Sequence, residues 1–411
     1  MNGTAPGAAG SGGPGPKDLG SGSRELDGID VDRLRSTLLD LLGVPSPSGR
    51  TDEVVQVLGD RLVDMGLTPE LTRRGAIAIR PPGDPEGPAR AMVAHADTIG
   101  MVVREIKPSG RLKLAQVGTH SARFAEGARV TVFTDDPGVT CTGTIVPLKA
   151  SGHRWGDEVD TQGIGWDHVE LRIDERVQSD ADVRALGIQV GDHVAFHSQP
   201  TITPSGFVVA RHLDDKAALA ALLEMLAVLG EQRLEVEVPL HVLITVSEEV
   251  GHGASHGLDG DVAELVSIDT AVVAPGQESR EDMVTIGMQD SSGPFDYHLS
   301  RRLLALCRRH DIPHRRDVFD HYRSDAAAAL EAGAATRAAL VGVGVDATHG
   351  HERCHLDGIV ALCRLLLAYA RSPLTFSHWD AEPVGELSDF PSSSVQPTPH
   401  QPELVEQRLP D

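Results

Sequence analysis

The apolar run Leu240-His241-Val242-Leu243-Ile244-Thr245-Val246 is followed at once by Ser247-Glu248-Glu249-Val250-Gly251. The run reads as a buried strand, and a buried strand that delivers two adjacent carboxylates at its end restricts the fold strongly. Ionised carboxylates leave water only at a high cost unless they are paired. Side chains alternate along an extended chain, so Glu248 and Glu249 can address different partners. One is suited to hold a cation and the other to handle a proton. Comparable residues accompany other apolar segments: His95 with Asp97 after 91–94, Asp214-Asp215 ahead of a helical stretch, and Asp269 after 265–268.

The pattern around these segments sets the fold class. Residues 31–42 and 52–65 carry apolar side chains at helical spacing, among them Leu34, Leu38, Leu42, Val54, Leu58 and Leu62. Strands are expected at 76–80 and 91–95. From about 105 to 204 the pattern changes to short alternating segments, at 129–133, 142–147, 168–173 and 193–196. Turn signals such as Asp136-Pro137-Gly138 and Gly191-Asp192 separate them. This stretch predicts an inserted small all-β domain, a barrel or a sandwich. Strands then alternate with helices. The strands are expected at 240–246, 265–268, 316–319 and 338–343, and the helices at 214–229, 296–309, 324–331 and 356–370. The expected class is α/β: a helix-flanked mixed sheet domain built from 29–104 and 205–372, interrupted by the β insert 105–204. Residues 1–28, rich in Gly, Ser, Pro and Ala, read as a disordered tail, and so do residues 373–411, rich in Pro, Ser, Gln and Glu.

The formal charge of -23 disfavours nucleic acid and anionic membranes as partners and suits a bound cation. No apolar run approaches the ~20 residues of a membrane span. The first residues lack the apolar segment of a secretory signal. The four cysteines (Cys141, Cys307, Cys354 and Cys363) are scattered and predict no disulfide framework. The expectation is a soluble cytoplasmic protein.

Each candidate residue has a plainer reading. His95-Ala96-Asp97 could be a polar turn, and Asp269 a cap. One of Asp214 and Asp215 could cap the helix that follows and complement its dipole. The histidines of Thr348-His349-Gly350-His351-Glu352-Arg353-Cys354-His355 could all lie on the surface. Taken together they point elsewhere. Oxygen and nitrogen donors gather where strands end, which is where open α/β sheets place their sites. Such donors without thiolate suit Zn, Co or Mn. Asp97 lies close enough in sequence to hold the second ring nitrogen of His95. A carboxylate shared by two divalent metal ions suits hydrolysis.

These residues are similar to motifs of the co-catalytic metallopeptidases of family 42, the glutamyl or tetrahedral aminopeptidase type. The matching pieces are His95-Ala96-Asp97-Thr98-Ile99-Gly100, Leu213-Asp214-Asp215-Lys216, Glu248-Glu249-Val250-Gly251, Ile268-Asp269 and Ser324-Asp325-Ala326. Gly187-Ile188-Gln189-Val190-Gly191-Asp192 also resembles the end of that family's β insert, and the likeness spans roughly residues 28 to 372. The resemblance implies a zinc-exopeptidase-like domain, two divalent metal ions, a short peptide substrate and a homo-oligomer. It implies that Asp214 bridges the metals, with His95 and Asp269 on one side and Glu249 and a late histidine on the other. Glu248 would be the general base, and Asp97 would orient His95. The last ligand segment, His349-Gly350-His351-Glu352, is one residue shorter than the family's pattern. His349 is the expected ligand, with His351 and His355 in reserve. The late histidine string, together with Glu248-Glu249-Val250-Gly251-His252-Gly253, resembles a subgroup tied to the osmoprotectant N-acetylglutaminylglutamine amide. That compound is acetylated, so an amidase or deacylase acting on capped dipeptides is an alternative, and a non-catalytic metal-binding scaffold is another. Arg211 and His212, just before Asp214, are candidate substrate contacts.

Overall fold

The computed structural model describes residues 26, 28–81, 86–258, 260, 262–376 and 383–384. Along the chain the strands are β1 (Glu70–Leu71), β2 (Ile77–Ile79), β3 (Ala89–His95), β4 (Gly100–Ile106), β5 (Leu112–Val117), β6 (Arg129–Phe133), β7 (Thr140–Pro147), β8 (Val169–Ile173) and β9 (His193–Phe196). They continue as β10 (Thr201–Ile202), β11 (Phe207–Ala210), β12 (Leu240–Thr245), β13 (Val262–Val273), β14 (Val284–Asp290), β15 (Gly293–Pro294), β16 (His314–Val318), β17 (Arg337–Asp346) and β18 (Glu352–His355).

One mixed sheet runs in the order β1-β2-β12-β3-β13-β17-β18-β11-β10, with β14 also on β17 and carrying β15 and β16. Its centre is parallel: β12 pairs with β3, β3 with β13, and β13 with β17. All seven residues of β3 are buried, as expected of a parallel strand covered on both faces. The helix Leu213–Glu231 is the main support beneath this centre. Every residue from Leu213 to Leu229 is buried, so the Leu and Ala side chains serve the sheet on one face and the helices Val31–Leu42 and Leu356–Ala370 on others. Each buried leucine contributes about 1.5–3 kcal/mol relative to exposure.

The insert is a closed barrel, β4-β5-β8-β7-β6-β9. Met101, Leu114, Val130, Ile145, Leu171 and Val194 fill it from successive inward positions. Barrel strands run from Gly100 to Phe196, so the insert begins earlier and ends earlier than the expected 105–204. The early start was masked by Arg104 and Glu105, which stand exposed beside a register shift between Val103 and Glu105. At the other end, β10 already pairs with β11 in the main sheet. The strand expected at 265–268 is in fact twelve residues long, because the polar Asp269 and Thr270 are buried within it. The short strand β14 was not expected.

Residues 1–25, 27, 377–382 and 385–411 of the two expected tails lie outside the described residues. The described part of the second tail is packed, which corrects the boundary at 373. Leu374 and Phe376 are buried, and the Pro373 carbonyl accepts from Arg90 and Arg302, each at 3.0 Å. Among the described residues, no helix is long and apolar enough to cross a membrane.

Candidate metal centre

The parallel pairing brings the chemistry to one end of the sheet. His95 is the last residue of β3, and Asp269 lies in the neighbouring β13. Glu248 and Glu249 follow β12, His349 lies in the loop between β17 and β18, and Asp214 sits at the head of the long helix. Asp214 faces two histidines with its two oxygens. Its Oδ1 is 3.2 Å from His95 Nε2, and its Oδ2 is 3.4 Å from His349 Nε2. Glu249 Oε2 is also 3.4 Å from His349 Nε2. On the other side, Glu248 Oε2 and Asp269 Oδ1 are 3.9 and 4.0 Å from His95 Nε2. Asp214 thus stands between two groups of donors, one around each histidine.

The donor set fits divalent cations. Donor atoms of His95, Glu248 and Asp269 lie within 4.8 Å of one another, and so do those of Asp214, Asp215 and Asp269. Asp215 Oδ1 is buried with no hydrogen-bond partner among the described residues. Burial, reinforced by neighbouring carboxylates against the pull of His95, pushes Asp215, Glu248 and Asp269 well above the usual carboxylate range. Burial also raises Asp214, but His349 and His95 outweigh it and hold that carboxyl well below its ordinary value. Burial pulls His349 down, yet Glu249 and Asp214 push it up to about 12. Carboxylates collected out of water in this way need a cation or a proton.

A second layer holds these side chains. His95 Nδ1 is 2.9 Å from the main-chain carbonyl of Asp97, and 3.7 Å from its carboxylate. Asp97 therefore orients His95 through its backbone, a correction to the expected carboxylate contact. Its carboxylate instead accepts from the Glu248 and Glu249 amides, at 3.1 and 3.3 Å, and from Ser48 Oγ at 2.5 Å. The two glutamates diverge because they sit in a turn, where Gly251 N donates to Glu248 O at 2.6 Å, and not because of strand alternation. Asp214 and Asp215 both depart from helical dihedrals at the head of the helix. Asp215 Oδ2 accepts from the His95 amide at 3.3 Å.

His349 is held from both domains. Its amide donates to Glu352 Oε1 at 2.8 Å, and its Nδ1 lies 2.7 Å from the Thr119 carbonyl in the barrel portion. Its φ of +63° is left-handed, a costly setting that persists at sites where surroundings enforce it. His351 is exposed, and His355 caps the last helix by accepting from the Asp357 amide, so neither joins the cluster. Arg211 donates to the Gly350 and Phe124 carbonyls at 3.2 and 2.7 Å, a structural role between the domains. His212 is buried beside Phe196 and does not line the cavity.

Several participants escaped the sequence reading. Lys216 is buried and donates to Ser46 Oγ and the Ala96 carbonyl, each at 2.8 Å; burial lowers its pKa to about 7. Glu352 accepts from the Asp214 amide at 3.1 Å, and burial beside Asp214 raises it to about 8. Asp325 accepts from Thr245 Oγ1 at 2.6 Å and the Ala254 amide at 2.7 Å. A Cβ on Gly253 would stand 1.9 Å from Asp325 Oδ1, which explains the glycine in that loop. The signal lay in the adjacency of Asp215 to Asp214, in the place of Glu352 within the histidine string, and in the motif pieces that contain Lys216 and Asp325, none of which assigned them a role. The donor groups open into a cavity of about 970 Å³ whose walls include Gln277, Phe319, His321, Tyr322 and Arg323.

A mixed sheet that gathers oxygen and nitrogen donors around a shared carboxylate defines a metallohydrolase. The family model for M42 glutamyl aminopeptidases matches residues 75–365, and the chain belongs to that family of metal-dependent aminopeptidases. It is 33% identical over 344 residues to YhfE from Bacillus subtilis (strain 168), itself assigned as an aminopeptidase without being established as one. That match covers 84% of this chain and 99% of YhfE. The fold is similar to a TET aminopeptidase from the marine sediment archaeon Thaumarchaeota archaeon SCGC AB-539-E09, with TM-score 0.75 and 18% identity, covering 83% and 96% of the two chains. It is also similar to the Pyrococcus horikoshii TET1 peptidase, with TM-score 0.72 and 23% identity, covering 82% and 99%.

Proposed function

We propose that this chain removes the N-terminal residue of short peptides with two divalent cations of the Zn, Co or Mn kind. Asp214 would be shared, with His95 and Asp269 on one side and Glu249 and His349 on the other. The observation that carries this reading is the Asp214 carboxylate, which turns one oxygen to each histidine. When bound, such a pair polarises a carbonyl and makes water acidic enough to attack at neutral pH. Glu248 is placed to take the proton from that water and return it to the leaving amine nitrogen, so that hydrolysis balances. Burial and Asp269 raise the pKa of its side chain, and it lines the cavity beside the proposed ligands. Asp97 positions it through the Glu248 amide.

The test offers metal-loaded wild type and Glu248→Gln a panel of free-amine dipeptides, their amides and N-acetyl-capped versions. Cleavage of the free-amine substrates is expected, with turnover reduced roughly 10²- to 10⁴-fold in the variant while metal content is retained. Cleavage of capped substrates alone would overturn the aminopeptidase reading. It would favour an amidase and the narrower link to N-acetylglutaminylglutamine amide, which rests on the two sequence strings at 248–253 and 349–357. A homo-oligomer is also proposed. The Pyrococcus horikoshii TET1 peptidase can assemble into a tetrahedron or a large octahedral shell, and this chain exposes Phe124, Leu148 and Ile164 on its insert. Light scattering on the purified protein tests that point, and a monomer would remove it. A cytoplasmic location is proposed on the reduced state of all four cysteines.

A further inference from the structure

We propose that Tyr322 is a catalytic residue, whose phenolic hydroxyl donates a hydrogen bond to the scissile carbonyl oxygen as that oxygen gains negative charge. The inference rests on the peptidase reading above. Tyr322 lies between β16 and the helix Asp325–Glu331, and it lines the same cavity as Asp214, Glu248 and Asp269. Its hydroxyl is buried and faces the Asp269 carboxylate without a well-formed hydrogen bond among the described residues. Buried phenols normally find one. The carboxylates of Asp269, Asp214 and Glu248 act on it, and all three are acceptors. The hydroxyl thus stands beside the two donor groups, at the wall of the cavity where a substrate carbonyl would be presented.

The ring is fixed before substrate arrives. The Tyr322 carbonyl accepts from the Ser291 amide at 3.0 Å and from Ser291 Oγ at 2.8 Å, while the ring rests against Phe319 with centroids 5.2 Å apart. A donor held in place costs no reorganisation when charge develops, which is the basis of oxyanion stabilisation. The adjacent Arg323 is already committed to Glu331, at 2.7 Å. No covalent bond to the tyrosine forms or breaks in this role.

The experiment compares wild type with Tyr322→Phe, which keeps the ring and its packing. Calorimetry measures metal binding to the metal-free protein and, separately, binding of an aminoalkyl boronate to the loaded protein; peptide turnover is measured alongside. The expected result is a kcat lower by on the order of 10²–10³, with KM and metal affinity unchanged within about threefold. Boronate affinity should fall by a similar factor, and affinity for the free amino acid product should not. Unchanged kcat and boronate binding would overturn the proposal. Weakened metal binding, with kcat restored at saturating metal, would also overturn it, because Tyr322 would then position Asp269. If the loaded wild type cleaves no peptide, the peptidase reading falls. The boronate titration still decides the tyrosine, since the tetrahedral boronate oxygen meets the same hydroxyl.

Discussion

Strands β3 and β13 each carry charge into the interior at both ends, and the two ends are treated differently. Near their starts, Arg90 and Glu264 are paired in register, fully buried and 3.2 Å apart. The Arg90 guanidinium lies 3.7 Å from the Tyr369 ring centroid, Tyr369 donates to Glu264 at 2.7 Å, and the Ser372 and Pro373 carbonyls accept from Arg90 at 2.8 and 3.0 Å. That end carries its own opposite charge, with Arg302 beside the pair, and is closed by the chain itself. Further along the same strands, His95 and Asp269 meet Asp214, Asp215, Glu248 and Glu249, and carboxylates outnumber the histidines. Burial is similar at the two ends. What differs is whether the sequence supplies the opposite charge or leaves it to be bound, and only the second arrangement creates a site.

The most damaging way to break this contrast is at the closed end. Arg90→Met leaves Glu264 buried without its cation and should cost about 3–5 kcal/mol of stability, read from denaturant unfolding. Specific activity per folded molecule should hold. The open end should respond to protons. The proposed ligands Asp269, Glu249 and His349 carry raised pKa values and must lose protons to bind metal, so affinity rises with pH. Between pH 6 and 8 the metal dissociation constant should fall by about tenfold per unit for each proton displaced. Calorimetry in buffers of different ionisation heat counts those protons, and a pH-independent affinity would contradict the account. Asp97→Asn removes a charge that holds the Glu248–Glu249 turn and should cost roughly 10- to 100-fold in activity or metal affinity. The smallest effect is expected at His355→Ala, which removes a helix cap worth about 1 kcal/mol and leaves metal stoichiometry intact.

The same contrast explains what was readable in one dimension. His95, Asp214, Glu248, Glu249 and Asp269 stand out because an acid or imidazole beside an apolar run has a cost that something must offset. Arg90 and Glu264 lie in apolar runs too, but their partners are one another, Tyr369 and the 372–375 backbone, a closure visible only once β3 and β13 are paired. Tyr322 gave no signal, since a lone tyrosine in a loop is ordinary, and Lys216 stood out only as part of Leu213-Asp214-Asp215-Lys216. Asp269 was legible as a site residue but concealed the true length of β13, because polarity was taken as the end of the strand. The barrel core was legible from alternation in β6 and β7. Its first strand was not, because Arg104 and Glu105 interrupt the pattern.

The two histidines differ in what steadies them. His95 leans on the Asp97 carbonyl, a few bonds from its own strand, whereas His349 leans on the Thr119 carbonyl of the insert. Arg211 then clamps the loop of Gly350 to Phe124 on that same insert. The barrel is therefore a lever arm with its short end at His349. A partner or peptide that tilts the insert would tug one half of the centre while the other stays anchored in the sheet.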